Sequence, residues 1–318
     1  MMEYVKIGSG ELSASRIVMG CEQLGGTDWG TIQEGEVARA VGRALDLGVN
    51  AFDTADVYGL GRSEERLADA LGPRRREAVI ITKFGVAWKE SASGGRAETR
   101  IDNSEAHMRR ALEASLRRLR LDAIPVYLVH KPDPETPLEE TIETLNEFKR
   151  EGKIRYFGVS NFSAGQIAAA SALGPVALAQ MEYSLLNRGA EAEALPRCAA
   201  LGVGAMAYGV LGFGILSGKY GVASSFEKSD RRERLPAFRG EEYRRSLHVV
   251  ERLRGTAEAF DCTVAQAAIG WVLGSDLVRC VTVGVKNCRQ MEQAVAAARM
   301  DCGQIRERIA ADLDPPCQ

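Results

Sequence analysis

At 318 residues, with 45% hydrophobic and 26% charged side chains, the chain can bury a large core without disulfide or metal staples. A net charge of −2 and a pI of about 6.1 leave no electrostatic footprint for nucleic acid. Seven cysteines without a CxxC pair, and only three histidines, argue against a zinc cluster and for reduced thiols; with no signal-peptide core and no apolar run long enough for a membrane, a cytoplasmic protein is expected.

In chain order, Tyr4 to Ile7, Gly8-Ser9-Gly10 and Leu12 to Ser15 read as a small β-hairpin. Ile17-Val18-Met19-Gly20 is a first buried strand, and a polar, glycine-rich loop from Cys21 to Gly30 follows it. Val37, Val41, Ala44 and Leu45 recur at helical spacing and Gly48 closes that helix. Val49 to Phe52 is the second strand. It leads into Asp53-Thr54-Ala55-Asp56-Val57-Tyr58-Gly59, and Ser63 is placed to cap the next helix. Ala78 to Thr82 ends at Lys83. After a loose loop from Glu90 to Glu98, Ser104 is placed to cap a helix carrying Leu112, Leu116 and Leu119. Pro125 to Val129 ends at His130, and Thr136-Pro137-Leu138-Glu139 has the form of a capping box with Pro at the first helical position. Tyr156 to Val159 ends at Ser160-Asn161, and Ser163 with Gln166 forms another capping box. Val176 to Ala179 ends at Gln180, and Gly204 to Ala207 ends at Tyr208. A long loop from Gly209 to about Gly240 precedes helices at Tyr243 to Phe260 and Val264 to Gly274. Val281-Thr282-Val283 is the last strand, and Gln290 to Ala298 is the last core helix.

This alternation gives eight strands, each followed by helix, with no polar linker and no repeat. It predicts a (β/α)8 TIM barrel with an N-terminal β-hairpin, in one domain over 1–318. No GxGxxG follows the first strand, which argues against a Rossmann domain. In a barrel, residues at the C-terminal strand ends converge on the active site. Those residues here include Asp53, Lys83, His130, Ser160, Gln180, Tyr208 and Gly284.

Asp53, Tyr58, Lys83 and His130 suit proton donation to an oxygen that gains charge. A phenol titrates near about 10, and a neighbouring ammonium favours phenolate and lowers that value. Lys83 is the expected neighbour, Asp53 its anchor, and His130 a hydrogen-bond partner or relay.

With those residues in place, the chain resembles the aldo-keto reductases over nearly its whole length. The resemblance rests on Phe-Asp-Thr-Ala-Asp-Val-Tyr-Gly (52–59) with Gly-Arg-Ser-Glu-Glu (61–65), and on Ile-Thr-Lys-Phe-Gly (81–85). It continues through the segment 126–137 around His130, Gly-Lys-Ile-Arg-Tyr-Phe-Gly-Val-Ser-Asn-Phe (152–162), and 207–220. It implies an NADP-dependent oxidoreductase for a small carbonyl or alcohol substrate, with NADPH in preference to NAD. Tyr58 would be the proton donor, with Asp53, Lys83 and His130 completing the catalytic set. Gly20 and Cys21 would lie near the nicotinamide. Ser160, Asn161 and Gln180 would hydrogen-bond its carboxamide, and Tyr208 would stack on its ring. Leu211, Gly214 and Lys219 would follow the pyrophosphate, and Gly284, Lys286, Gln290 and Gln293 the adenosine end, with Lys286 pairing to a 2′-phosphate. The chain departs from the family at Gly209, Val210, Val283 and Ala294, where Ser, Pro, Pro and Asn are common.

Other residues carry plainer readings. Arg74-Arg75-Arg76 and Arg231-Arg232 read as solvated surface; Tyr183 and Trp271 read as packing; His107 and His248 lie on helices. Trp29 and Trp88, in loops after the first and third strands, are expected as pocket walls. With Glu22, Gln23, Asp28, Asp56, Lys89 and Lys131 they form a polar rim that points to a sugar-like carbonyl substrate. The rival class is a nicotinamide-binding regulatory subunit, as in channel β-subunits, or a redox-neutral isomerase or lyase on the same barrel. No motif for a partner protein is legible.

Overall fold

The computed structural model describes residues 2–8, 10, 12–89 and 97–313. Eight parallel strands close a barrel: β3 (Ile17–Gly20), β4 (Ala51–Asp53), β5 (Val79–Phe84), β8 (Ile124–Val129), β9 (Ile154–Ser160), β10 (Val176–Glu182), β11 (Gly204–Tyr208) and β12 (Cys280–Gly284). β12 pairs with β3, with Gly284 opposite Gly20, and β9 pairs with β10, with Ser160 opposite Gln180. The expected (β/α)8 barrel is the observed one.

Strand alternation explains the placement of the polar residues. Side chains two apart on a strand share a face. Ala51, Ile81, Leu128, Leu178 and Met206 belong to the small apolar cluster that fills the barrel interior. Asp53, Lys83, His130, Gln180 and Tyr208 each stand two residues further on, so all five point toward the axis at the C-terminal end. Phe52, Ile80, Phe84, Tyr127 and Val129 occupy the other face and join the larger core under the helices. Gly158, the residue two before Ser160, shows how crowded the interior is: a Cβ there would lie 2.1 Å from the Leu178 carbonyl oxygen and 2.8 Å from Leu128 Cδ2.

The N-terminal hairpin, β1 (Tyr4–Lys6) with β2 (Ser13–Ser15), is antiparallel as expected, and Ser9 of its turn lies outside the described residues. Its Ile7 and Ala14 are fully buried against the interior cluster and close the lower end of the barrel.

Helices α1 (Glu34–Asp46), α2 (Arg62–Leu71), α3 (Glu105–Leu119), α4 (Leu138–Arg150), α5 (Ala164–Leu173), α6 (Ala194–Leu201), α7 (Gly240–Ala259), α8 (Val264–Leu273) and α9 (Cys288–Ala297) surround the strands. Ser163 and Gln166 form the expected capping box on α5, and Thr263 and Gln266 form one on α8. Three expected caps differ. Ser63 lies inside α2, where its hydroxyl donates to the Cys21 carbonyl and meets Thr54 Oγ1. Thr136 donates to Asp133 Oδ2, and Pro137 takes the N-cap position of α4, not its first helical one, so that helix starts without a side-chain cap. Ser104 bonds Asp102 Oδ1 instead of the α3 backbone. For Ser63 the partner is brought in by the fold, whereas for Thr136 and Ser104 it is an aspartate two or three residues back in the same loop.

Two elements exceed the sequence reading. Trp88 is not in a loop: β6 (Val86–Lys89) pairs antiparallel with β7 (Glu98–Ile101), Trp88 opposite Thr99, beyond β5 at the upper face. The expected loose loop contributes only its last residue to β7, and residues 90–96 lie outside the described ones. The helical shell also continues past α9. α10 (Cys302–Leu313) buries Cys302, Ile305 and Ile309, and Arg306 Nη1 bonds the Trp271 carbonyl of α8 at 3.0 Å. No helix among the described residues is long and apolar enough to cross a membrane.

Candidate active site

Lys83 and Asp53 form the centre of the upper face. Lys83 Nζ lies 2.7 Å from Asp53 Oδ1 and donates to the Thr54 carbonyl at 2.8 Å. The two side chains are 1% and 5% exposed. A second donor, Gln180 Nε2, reaches the same Asp53 oxygen at 3.0 Å. The ammonium is 5.2 Å from the centre of the Tyr58 ring. His130 meets that ring edge-on, with centroids 5.9 Å apart at 87°. The four side chains singled out in the sequence are therefore brought together.

Their electrostatics differ from expectation at one point. The Tyr58 phenol is raised, not lowered. Burial, then the carboxylates of Glu22 and Asp53, push the phenol well above its ordinary range, with Arg231 opposing. Desolvation of a buried phenol disfavours its charged form, and here it outweighs the ammonium held 5.2 Å from the ring centre. Tyr58 consequently holds its proton at neutral pH. Burial and the charges of Lys83 and Lys131 push His130 well below the imidazole range, so it is neutral. Its Nδ1 is buried with no hydrogen-bond partner among the described residues.

A second set sits beside the first. Asn161 adopts φ of 62°, which a short amide side chain tolerates. From there its Nδ2 donates to the His130 carbonyl at 2.9 Å and to Ser160 Oγ at 3.1 Å, while its Oδ1 accepts from Tyr208 Oη at 2.7 Å. Ser160 Oγ donates to Gln180 Oε1 at 3.2 Å. Ser160, Asn161, Gln180 and Tyr208 thus form one network joined to Asp53. Burial and the Glu182 carboxylate push the Tyr208 phenol up to about 12. Cys21 is fully buried, its thiol bonded to the Met19 carbonyl and pushed far up by burial.

The segment 209–239 folds down over the Cys21–Gly30 loop. Leu211 packs against the core, and Phe213 and Gly214 turn the chain with φ of 55° and 105°. Arg231 Nη1 bonds Glu22 Oε1 at 2.7 Å, and Arg234 Nη2 bonds Asp28 Oδ1 at 3.0 Å. Arg232 is buried, paired with Asp230 through Nε at 2.8 Å, and stands 5.0 Å from the Phe226 ring. Lys286 Nζ donates to the Trp29 carbonyl at 2.6 Å. Burial and the charges of Arg232 and Lys219 lower the Lys286 ammonium from its usual range. Further along, Gln290 Oε1 accepts from the Lys286 backbone, and Gln293 lies half-buried on α9.

A model of the aldo/keto reductase family matches residues 16–307. A probable aldo-keto reductase of Glycine max is 35% identical over 314 residues, 97% of this chain and 89% of that protein. An aldo-keto reductase of Bacillus subtilis (strain 168) is 35% identical over 282 residues, 87% of this chain and 83% of that protein.

The chain belongs to the aldo/keto reductase family.

Among solved structures, the glycerol dehydrogenase of Gluconobacter oxydans superposes with a TM-score of 0.85 at 30% identity, covering 99% of this chain and 97% of that one. An aldo-keto reductase of Bacillus halodurans, in its holo form, gives 0.80 at 27% identity, covering 97% and 95%. This aldo-keto reductase is an oxidoreductase of a family that uses nicotinamide cofactors.

Three sequence readings change within the site. Arg231 and Arg232 are not solvated surface; Arg231 pairs with Glu22 and Arg232 donates to the Trp29 carbonyl at 3.5 Å, and both bind the 209–239 segment to the barrel mouth. Trp29 is 8% exposed, its ring covered by Phe213 at 6.4 Å and by both arginines, so it is a platform under that segment and not an open wall. Asp56 leaves the rim altogether. It is 1% exposed and faces Glu64, Arg118 and Tyr127 behind the strands. Trp88 is half-buried on its own hairpin.

Proposed function

We propose that this aldo-keto reductase interconverts a polar carbonyl compound and its alcohol with NADP(H), Tyr58 giving or taking the proton. The observation that carries the reading is the Tyr58 phenol beside a neutral His130 and over the buried Lys83–Asp53 pair.

The residues fit a nicotinamide. Ser160, Asn161 and Gln180 offer amide and hydroxyl groups suited to a carboxamide, and Tyr208 offers a ring face. The floor beside them lacks side-chain bulk: a Cβ on Gly20 would lie 3.1 Å from Gly284 N. Lys286, Arg232 and Lys219 gather positive charge against the single Asp230 carboxylate, which suits phosphate. Bound there, the cofactor supplies or accepts hydride.

The protein's own part is proton handling and electrostatics. A neutral phenol donates to an oxygen that gains negative charge as a carbonyl is reduced. The Lys83 ammonium stabilises the phenolate left behind, and Asp53 with the Thr54 carbonyl keeps that ammonium aimed. Neutral His130 donates or accepts a hydrogen bond at the same oxygen without competing for the charge. Microscopic reversal serves alcohol oxidation.

The polar substrate class is supported by Glu22 and Arg231 at the mouth, and by the likeness to a glycerol dehydrogenase. The test is nicotinamide absorbance with a panel of sugar-derived carbonyls, aliphatic aldehydes and steroid ketones. Multiple-turnover NADPH consumption with highest kcat/KM on the sugar-derived compounds is expected. A clear preference for apolar ketones would overturn the substrate class. No consumption with any member would leave the regulatory or redox-neutral reading.

A further inference from the structure

Glu22 opens a one-turn 3-10 helix, Glu22–Gly25, just beyond the end of β3. That turn is pressed against the loop carrying Tyr58. A Cβ on Gly25 would lie 2.8 Å from Gly59 N and 3.0 Å from the Tyr58 carbonyl carbon. Gly59, at φ of 60°, makes the approach from the other side, where a Cβ would lie 2.3 Å from the Gly25 oxygen. Two glycines in contact therefore fix where Glu22 stands relative to Tyr58.

The carboxylate is held in turn by Arg231, with 2.7 Å between Oε1 and Nη1 and side chains 26% and 30% exposed. Arg231 itself is fixed. Its guanidinium lies 5.3 Å from the Trp29 ring and 5.7 Å from the Phe213 ring, and its backbone N–H donates to the Asp28 carbonyl at 2.9 Å. The Glu22 and Arg231 charges act on both the Tyr58 and the Tyr208 phenols. One charge pair, held at both ends, thus lies near enough for its charges to act on the proton donor, and nothing in the proton-transfer step uses it.

We propose that Glu22 is a specificity-determining residue that accepts a hydrogen bond from a hydroxyl on the carbon next to the substrate's reacting carbonyl. The proposal rests on the carbonyl-reductase reading above and names the substrate class within it: α-hydroxy aldehydes and ketones. A carboxylate offers about four acceptor sites; Arg231 occupies one and the Trp29 side chain is a second neighbouring donor, so capacity for a hydroxyl donor remains. The pair has no net charge. A cationic substrate would meet Arg231 and Lys83, and an anionic one Glu22 and Asp53, whereas a neutral hydroxyl is opposed by neither. A substrate without the hydroxyl leaves the carboxylate desolvated and short of a donor, which is the strongest form of discrimination a polar site provides.

Glyceraldehyde and propanal have the same carbon skeleton and differ in hydroxyls, so the ratio of their kcat/KM values reads the contact. Any general effect of Glu22 on Tyr58 cancels in that ratio. Wild type is expected to favour glyceraldehyde. Glu22→Leu is expected to lower the glyceraldehyde-to-propanal ratio by about ten- to a hundredfold. Glu22→Gln keeps an acceptor oxygen and should lower it less, and it serves as the test if the leucine variant fails to fold. A ratio unchanged in both variants, or in Glu22→Gln alone where only that one folds, overturns the Glu22 assignment and leaves the reductase reading standing. Wild-type enzyme that binds NADPH but turns over neither aldehyde overturns the Glu22 assignment, and one that also turns over no member of the wider panel overturns both.

Discussion

Lys83 Nζ and Asp53 Oδ1 are 2.7 Å apart in a pocket that leaves their side chains 1% and 5% exposed. Adjacent parallel strands β4 and β5 make this pair, with Asp53 opposite Ile81 and Lys83 one inward position further on. The pairing follows from strand register and needs no loop to hold it.

Removing one member of such a pair strands the other charge in a medium that solvates it poorly. Lys83→Met is expected to lose about 3–5 kcal/mol of stability in urea unfolding, because Asp53 keeps only the Gln180 donor. Turnover should fall with it, since the phenolate loses its nearest positive charge. A Lys83→Met protein as stable as wild type would show that the pair is not a net structural element.

Asp56 gives a pH signature. Burial, then the Glu64 carboxylate, raises it well above the ordinary aspartate value of 3.8. The native chain therefore keeps a proton that the unfolded chain gives up above that value. The folded state binds the extra proton, so this group's contribution is present in acid and is lost as pH rises from about 4 through the raised value. Asp56→Asn cannot ionise. Its Tm relative to wild type is expected to increase as pH rises from 4 to 8. A constant difference across that range would contradict a protonated native Asp56.

Cofactor choice turns on Lys286. Its ammonium is held at the Trp29 carbonyl, among Lys219, Arg232 and Asp230. Lys286→Ala should weaken NADPH by about 1.5–3 kcal/mol in fluorescence titration while NADH binding changes little. Equal weakening of both cofactors would place the lysine against a group they share, and the 2′-phosphate reading would fall.

What the sequence made legible was whatever obeys a local period. Ala51 to Asp53, Ile81 to Lys83 and Leu128 to His130 each step by two from an interior apolar residue to a polar one, and those steps survive folding unchanged. What it concealed depends on partners brought in from afar. Glu22 and Arg231 are 209 residues apart, so a basic dipeptide in a loop looked like solvated surface. Ser63 stood at a helix start, yet the Cys21 carbonyl 42 residues away took its hydroxyl. Asp56 lay in the same loop as Tyr58, and only the turn decides that one faces the mouth and the other the helices. The Tyr58 phenol was misjudged because burial, the largest cause of its shift, is not written in the sequence.

The central claim is that Tyr58 carries the proton, and Tyr58→Phe tests it most directly. The variant keeps the ring that meets His130 and removes only the hydroxyl. Acid catalysis by a positioned side chain contributes about 10²–10⁴-fold, so kcat for the best substrate found in the panel should fall by at least that much. NADPH affinity, read by fluorescence titration, should stay within about twofold, since no cofactor contact is assigned to the phenol. Turnover comparable to wild type in a folded, NADPH-binding Tyr58→Phe protein would contradict the account.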